Sequence, residues 1–296
     1  MGEGDRAGTS VAGGVGMTLP QTRYAASSDG VSIAYWTMGS GSPLVVMPAL
    51  PWSHIQLELE TPSVANFYGT LASTRMLVRY DNRGSGLSQL DVRDFSLDAM
   101  VLDLEAVVGH LGLDQFALAG FIHAGPPAIA YAARHPERVT HLVLWCSYAR
   151  ASDYVASPQI QATRDLRTRD WKLYTETLAH LTVGWEEGDH AHEYASLLRE
   201  CVTPENADTV YEAASSFDVT AILQQITAPT LVFHRREIVW LDADIARSLA
   251  AGIPDARLVI VEGSSAMPYL DDLDATAAIL DEFLSGADDR SAAELP

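Results

Sequence analysis

Lysine is all but missing from this chain of 296 residues: Lys172 is the only one. Basic residues of both kinds number 19 against 39 acidic, leaving a formal charge of −20. A surface so short of positive charge repels nucleic-acid phosphates and anionic membrane faces, so neither is expected as a partner. The lysine shortage itself reads as compositional bias. Cysteine is scarce too. Cys146 and Cys201 have no CxxC spacing, and two thiols in so long a chain make no disulfide framework, so a reducing, cytoplasmic location is the expectation. No apolar run reaches about 18 residues, which argues against a transmembrane helix. The first twenty residues lack the basic start and apolar block of a signal peptide, and Arg6 stands where a myristoylation motif needs Ser or Thr.

What the chain does have is apolar material, 48% of its residues, enough for a substantial core. It comes in short runs: PLVVM (43–47), RMLVRYD (75–81), QFALAG (115–120), THLVLWC (140–146), APTLVFH (228–234) and ARLVIVEG (256–263). Helical stretches separate them, and that alternation predicts an α/β protein with a mostly parallel sheet flanked by helices. Arg23 to Ala26 and Val31 to Met38, joined by the turn Ser28-Asp29-Gly30, add an antiparallel hairpin and bring the sheet to eight strands. Between Cys146 and Ala228 the strand signal gives way to helical, aromatic-bearing sequence, which predicts a helical cap inserted after strand six. The expected organisation is a flexible tail over 1–20, a core over 21–148 and 226–286, a cap over 149–225 and a C-terminal tail over 287–296. Ligands of such sheets bind at the carboxyl ends of the strands, where this cap would sit.

The turn GFIHAGPPAIAYAARHPERV (120–139) resembles the nucleophile elbow of the α/β-hydrolase superfamily, and RYDNRGSGLS (79–88) resembles that fold's loop after strand four. Residues 234–263 are similar to its segment from the acid-bearing strand to the histidine loop. PWSHIQLELE and HPERVTHLVLW resemble the bacterial subgroup found beside or fused to LuxR-type or adenylate-cyclase-type regulatory domains. The resemblance implies the α/β-hydrolase fold. It also implies where a catalytic triad would stand, and those positions hold Ile122, Ile238 and Ala266. None of these side chains can attack, relay a proton or orient a base. Loss of a triad member costs such enzymes roughly six orders of magnitude in rate, so serine-type hydrolysis is not expected. An elbow residue has positive φ, costly for a β-branched side chain, so Ile122 either keeps that strain or the turn has relaxed.

The polar residues left near the elbow are His123, directly after Ile122, and His54 in the loop after strand three; either imidazole is a candidate acid or base, and space-filling or loop packing is the other role open to each. Asp81 and Arg83 read as structural braces. Leu50, Trp52, Ile122, Tyr148, Tyr154, Trp171, Trp185, Glu237, Ile238, Trp240, Ser265, Ala266 and Met267 are candidate pocket residues. Glu237 and Ser265 stand next to positions of the missing set. Asp189 to Glu193 holds metal-ligand residue types without a distant partner, so no metal is expected, and nothing calls for a cofactor. The expected partner is an apolar small molecule, with a homodimer left open. From this the leading expectation is a cofactor-independent lyase, isomerase or cyclase of natural-product biosynthesis, using a dry, shaped cavity. A non-catalytic small-molecule sensor is the first alternative, and a hydrolase with a rewired catalytic set the second.

Overall fold

The structure, a computed structural model, describes residues 19–286; apart from Leu19 and Pro20, the two expected tails lie outside them. Strands β1 (Arg23–Ala26) and β2 (Ser32–Met38) form the hairpin, turning at Gly30 with φ 89°. Then follow β3 (Pro43–Met47), α1 (Pro62–Ala72), β4 (Met76–Tyr80), α2 (Leu97–His110), β5 (Phe116–Phe121), α3 (Gly125–Arg134) and β6 (Val139–Trp145). Five helices come next: α4 (Ala151–Val155), α5 (Pro158–Arg169), α6 (Trp171–Val183), α7 (Gly188–Cys201) and α8 (Pro204–Ala214). The core resumes with β7 (Thr230–Arg235), α9 (Ala243–Gly252), β8 (Ala256–Val261) and α10 (Leu273–Ser285). The sheet has eight strands in the order β1-β2-β4-β3-β5-β6-β7-β8, parallel from β4 onward. The expected architecture, with its helical cap after the sixth strand, is the one observed.

Both faces of the parallel strands are covered, which is why they read as unbroken apolar runs rather than alternating ones. One layer packs α2, α3 and α9 against residues such as Val45, Leu118, Leu142 and Val232; the other packs α1 and α10 against Leu44, Leu77, Val143 and Leu231. The chain reverses its winding between the adjacent strands β3 and β5, whose carboxyl ends therefore open a crevice.

Buried charges fix the loops around that crevice. The Asp81 carboxylate accepts the Ile55 N–H at 2.9 Å and the Leu87 N–H at 2.8 Å, tying the loop after β3 to the loop after β4. Arg83 forks between Asp103 and Asp29, 2.8 Å from each. Both expected braces are thus in place. The cap is tied down by Gly86 N–H to the Cys201 carbonyl (2.7 Å), Trp240 Nε1 to Leu181 (2.8 Å) and Ala266 N–H to Thr182 (2.8 Å). Among the described residues, no helix is long and apolar enough to cross a membrane.

Candidate active site

The turn after β5 begins at Ile122, whose φ is 50°, so the left-handed strain of an elbow is kept with a β-branched residue in place. Two glycines let the chain turn so tightly. A Cβ on Gly120 would lie 2.8 Å from the Ala124 carbonyl oxygen, and one on Gly125 would lie 1.7 Å from Ser147 Oγ. That same Ser147 hydroxyl donates to the Ile122 carbonyl at 2.6 Å, holding the turn from below.

Ile122 is 6% exposed and packs in one apolar cluster with Ile238, Ala266, Leu50, Tyr148, Tyr154 and Trp240. Trp145 helps to place two parts of that cluster: its indole N–H donates to the Ala266 carbonyl at 2.7 Å, and its ring stacks on Phe233 at 3.9 Å.

Two chambers meet at Ile122. The inner one is a narrow cavity of about 20 Å³ between core and cap, lined by Trp52, Ile122, His123, Tyr154, Tyr211 and Trp240, among others. The second, of about 60 Å³, shares Ala49, Trp52, Ile122 and Tyr194 with the first. A vestibule of about 330 Å³ between α4, α5, α6 and α8 meets the inner chamber at Tyr154, Ile160 and Tyr211.

His123 is the titratable group with imidazole chemistry in the inner chamber. Its Nδ1 lies 2.8 Å from the Tyr148 hydroxyl, and its ring meets those of Tyr154 and Tyr211 edge-on at 4.5 and 5.6 Å. Burial without a charged partner pushes its pKa down to about 3, so the ring is neutral near physiological pH. Opposite it, Trp52 Nε1 donates to the Tyr211 hydroxyl at 2.8 Å. Burial also raises the phenols of Tyr148, Tyr154 and Tyr211, which stay protonated and able to donate hydrogen bonds.

Of the residues singled out in the sequence, the inner chamber brings together Trp52, Ile122, His123, Tyr154 and Trp240, and the second chamber adds Ala266 and Met267. Tyr148 stands behind His123. Trp171 forms an outer layer, stacked on Trp52 at 5.9 Å. Leu50 and Ile238 are buried in the apolar cluster. His54 faces elsewhere: its Nδ1 accepts the Leu57 N–H at 3.3 Å, a loop-packing role. Trp185 lies outside, 64% exposed and stacked on His180. Glu237 is exposed, and the buried Ser265 hydroxyl accepts the Met267 N–H at 3.1 Å in the loop after β8. The Asp189–Glu193 run lies in the first turns of α7, where exposed His190 and His192 pair with Glu187 and Glu176. Sequence reasoning missed Tyr194 and Tyr211 on the cap and the pair Glu58 and Arg79 in the second chamber.

A family model described as alpha/beta hydrolase fold matches residues 63–273. The chain belongs to the α/β-hydrolase fold family. As an α/β hydrolase it is 24% identical over 268 residues to the AB hydrolase superfamily protein YisY of Bacillus subtilis, covering 88% of this chain and 98% of that protein. It is 27% identical over 211 residues to a pimeloyl-acyl-carrier-protein methyl ester esterase of Nitrosomonas europaea, covering 68% and 82%. Among solved structures, an esterase from Exiguobacterium antarcticum superposes with a TM-score of 0.78 at 18% identity, covering 90% of this chain and all of that one.

These likenesses correct the leading expectation from the sequence. A lyase, isomerase or cyclase of natural-product biosynthesis was to follow from a lost triad, but the curated relatives that this chain matches carry hydrolase and esterase names, which argues against both the loss and that reaction class. The physical reason for the error is that aliphatic side chains at Ile122, Ile238 and Ala266 show only which residues do not act. Hydrolysis needs an attacking oxygen, a base and donors for the oxyanion, and none of these must come from those three positions.

Proposed function

We propose that this α/β hydrolase cleaves small, largely apolar esters with a rearranged catalytic set, in which water is the nucleophile and His123 the general base. The observation that carries this reading is the His123 imidazole, neutral and buried in the inner chamber, with Nδ1 held at 2.8 Å by Tyr148. When Nδ1–H donates to the Tyr148 oxygen, the Nε2 lone pair is free for a water. The kinship with hydrolases and esterases supports the same reaction class.

Binding spreads the side chains that line the narrow inner chamber, and the ester carbonyl then lies between His123 and the phenols of Tyr154 and Tyr211. Water adds to the carbonyl carbon while its proton passes to His123 Nε2. The oxyanion that forms accepts hydrogen bonds from the phenols and from the His123 backbone N–H at the turn, the fold's usual oxyanion donor. Negative charge beside the ring raises the basicity that burial has lowered. Collapse expels the alkoxide, which takes the proton back from His123, giving acid and alcohol. The apolar walls exclude bulk water and strengthen each of these interactions.

The test is turnover of p-nitrophenyl acetate and butyrate by the wild-type protein and by His123→Ala. Hydrolysis above the buffer rate is expected, reduced about a hundredfold or more in the variant. Wild-type protein no faster than buffer, or a variant as fast as wild type, overturns the proposal.

A further inference from the structure

The second chamber holds a charged pair for which the proposed hydrolysis has no use. Its walls are mostly apolar, including Val64, Phe67, Leu197 and Met267, yet Glu58, Tyr68 and Arg79 also line it, all three buried. Arg79 Nε donates to Glu58 Oε2 at 3.0 Å and to the Tyr68 oxygen at 2.9 Å, and Nη2 donates to Glu58 Oε1 at 2.7 Å. Nη1 reaches only the Val46 carbonyl, at a long 3.4 Å. A guanidinium carries five N–H groups, so each terminal nitrogen keeps one without a protein acceptor among the described residues. Every Arg79 nitrogen has a partner, but a spare N–H on each terminal nitrogen can take an oxygen of a ligand that enters the chamber.

We propose that the second chamber is a subsite for the far end of the substrate, where Arg79 reads a neutral oxygen acceptor such as a ketone, amide or ether. Neutrality follows from the charge balance. Glu58 already compensates the guanidinium, and a carboxylate entering this apolar chamber would bring a second anion beside Glu58, unpaired and desolvated. The two chambers share Ile122 and Trp52, so a ligand with its ester at His123 extends into the second chamber past those side chains. The direction of the ligand rests on the hydrolase reading; the acceptor site does not.

Two measurements separate the two ideas. Wild-type protein is expected to turn over p-nitrophenyl 5-oxohexanoate with a kcat/KM about tenfold or more above that of p-nitrophenyl hexanoate, because only the first offers an acceptor to Arg79. Binding of 2-nonanone, followed through tryptophan fluorescence, needs no turnover. The double variant Glu58→Leu with Arg79→Met replaces the pair by apolar groups, and Leu197→Trp fills the chamber without touching the pair; each is expected to weaken ketone binding about tenfold. Leu197→Trp decides the matter should the double variant fail to fold. Ketone binding unchanged in the folded variants, or equal kcat/KM for the two esters, overturns the subsite. Ketone binding that depends on Arg79, without turnover of any ester, overturns only the hydrolase reading.

Discussion

His123 and Tyr148 form a buried pair, 2.8 Å from imidazole Nδ1 to phenol oxygen, with no charged group at the imidazole among the described residues. Tyr148 lies three residues beyond the end of β6 and His123 two beyond the end of β5, two parallel neighbours, so the sheet brings the turns that carry them side by side. A base placed by backbone register is rigid, and rigidity is what a water-activating group requires.

The pair makes stability depend on pH in a defined direction. The His123 pKa falls from 6.5 to about 3 on folding, so between those values the unfolded chain binds the extra proton. Its contribution is therefore complete above pH 6.5 and is lost as the pH falls toward 3. Asp81 and Asp103, raised by burial to about 7 and about 6, act in the opposite sense, so a comparison of variants is needed to isolate the histidine. Between pH 7 and pH 4, wild type is expected to lose up to about 3 kcal/mol more than His123→Gln in urea unfolding. Equal losses would mean that the imidazole is not held neutral.

Ile122 offers a test by sign. Alanine in place of glycine ordinarily stabilises a folded chain by about 0.5–1 kcal/mol. At φ 50° the order reverses, because a Cβ in the left-handed region costs about 1–2 kcal/mol and glycine avoids it. Both Ile122→Ala and Ile122→Gly lose buried apolar contact and are less stable than wild type. Of the two, Ile122→Gly is expected to unfold at higher denaturant concentration, by about 1 kcal/mol. The opposite order would show a turn that relaxes to negative φ.

The sheet was legible in the sequence because strands buried on both faces must be apolar throughout, and six such runs separated by helices leave few other arrangements. The hairpin was legible from Ser28-Asp29-Gly30, since only glycine adopts the φ found at Gly30 without cost. Small residues from Gly120 to Gly125 marked the elbow for the steric reason the structure shows. Tyr211 was not legible: its place against Trp52 depends on how α8 meets the loop after β3, a contact 159 residues apart in sequence. Arg79 left a signal that went unread. A guanidinium inside the strand MLVRY must find a partner, and Glu58, the acid beside Leu57 and Leu59, is that partner. The reaction class was misread because three aliphatic side chains at expected positions were taken as loss of activity, whereas the likeness to hydrolases and esterases argues against that loss.

Tyr211 joins the cap to the core and stands between the vestibule and the inner chamber, so its two functions can be separated by two substitutions. Tyr211→Phe keeps the ring and removes the oxygen that accepts the Trp52 indole N–H. The buried N–H is then unpaired, and a loss of about 1–3 kcal/mol in unfolding free energy is expected, with access to the chamber little changed. Tyr211→Ala removes the ring as well, including the face over which the Arg167 guanidinium sits at 4.9 Å. The passage from the vestibule widens, so kcat/KM for a branched or aromatic acyl ester is expected to rise relative to that for the acetate. Parallel steady-state assays on the two variants decide the point. A ratio of branched to acetate ester that is the same in wild type, Tyr211→Phe and Tyr211→Ala would mean that substrate enters by another route, and that the Tyr211 ring does not guard the passage from the vestibule.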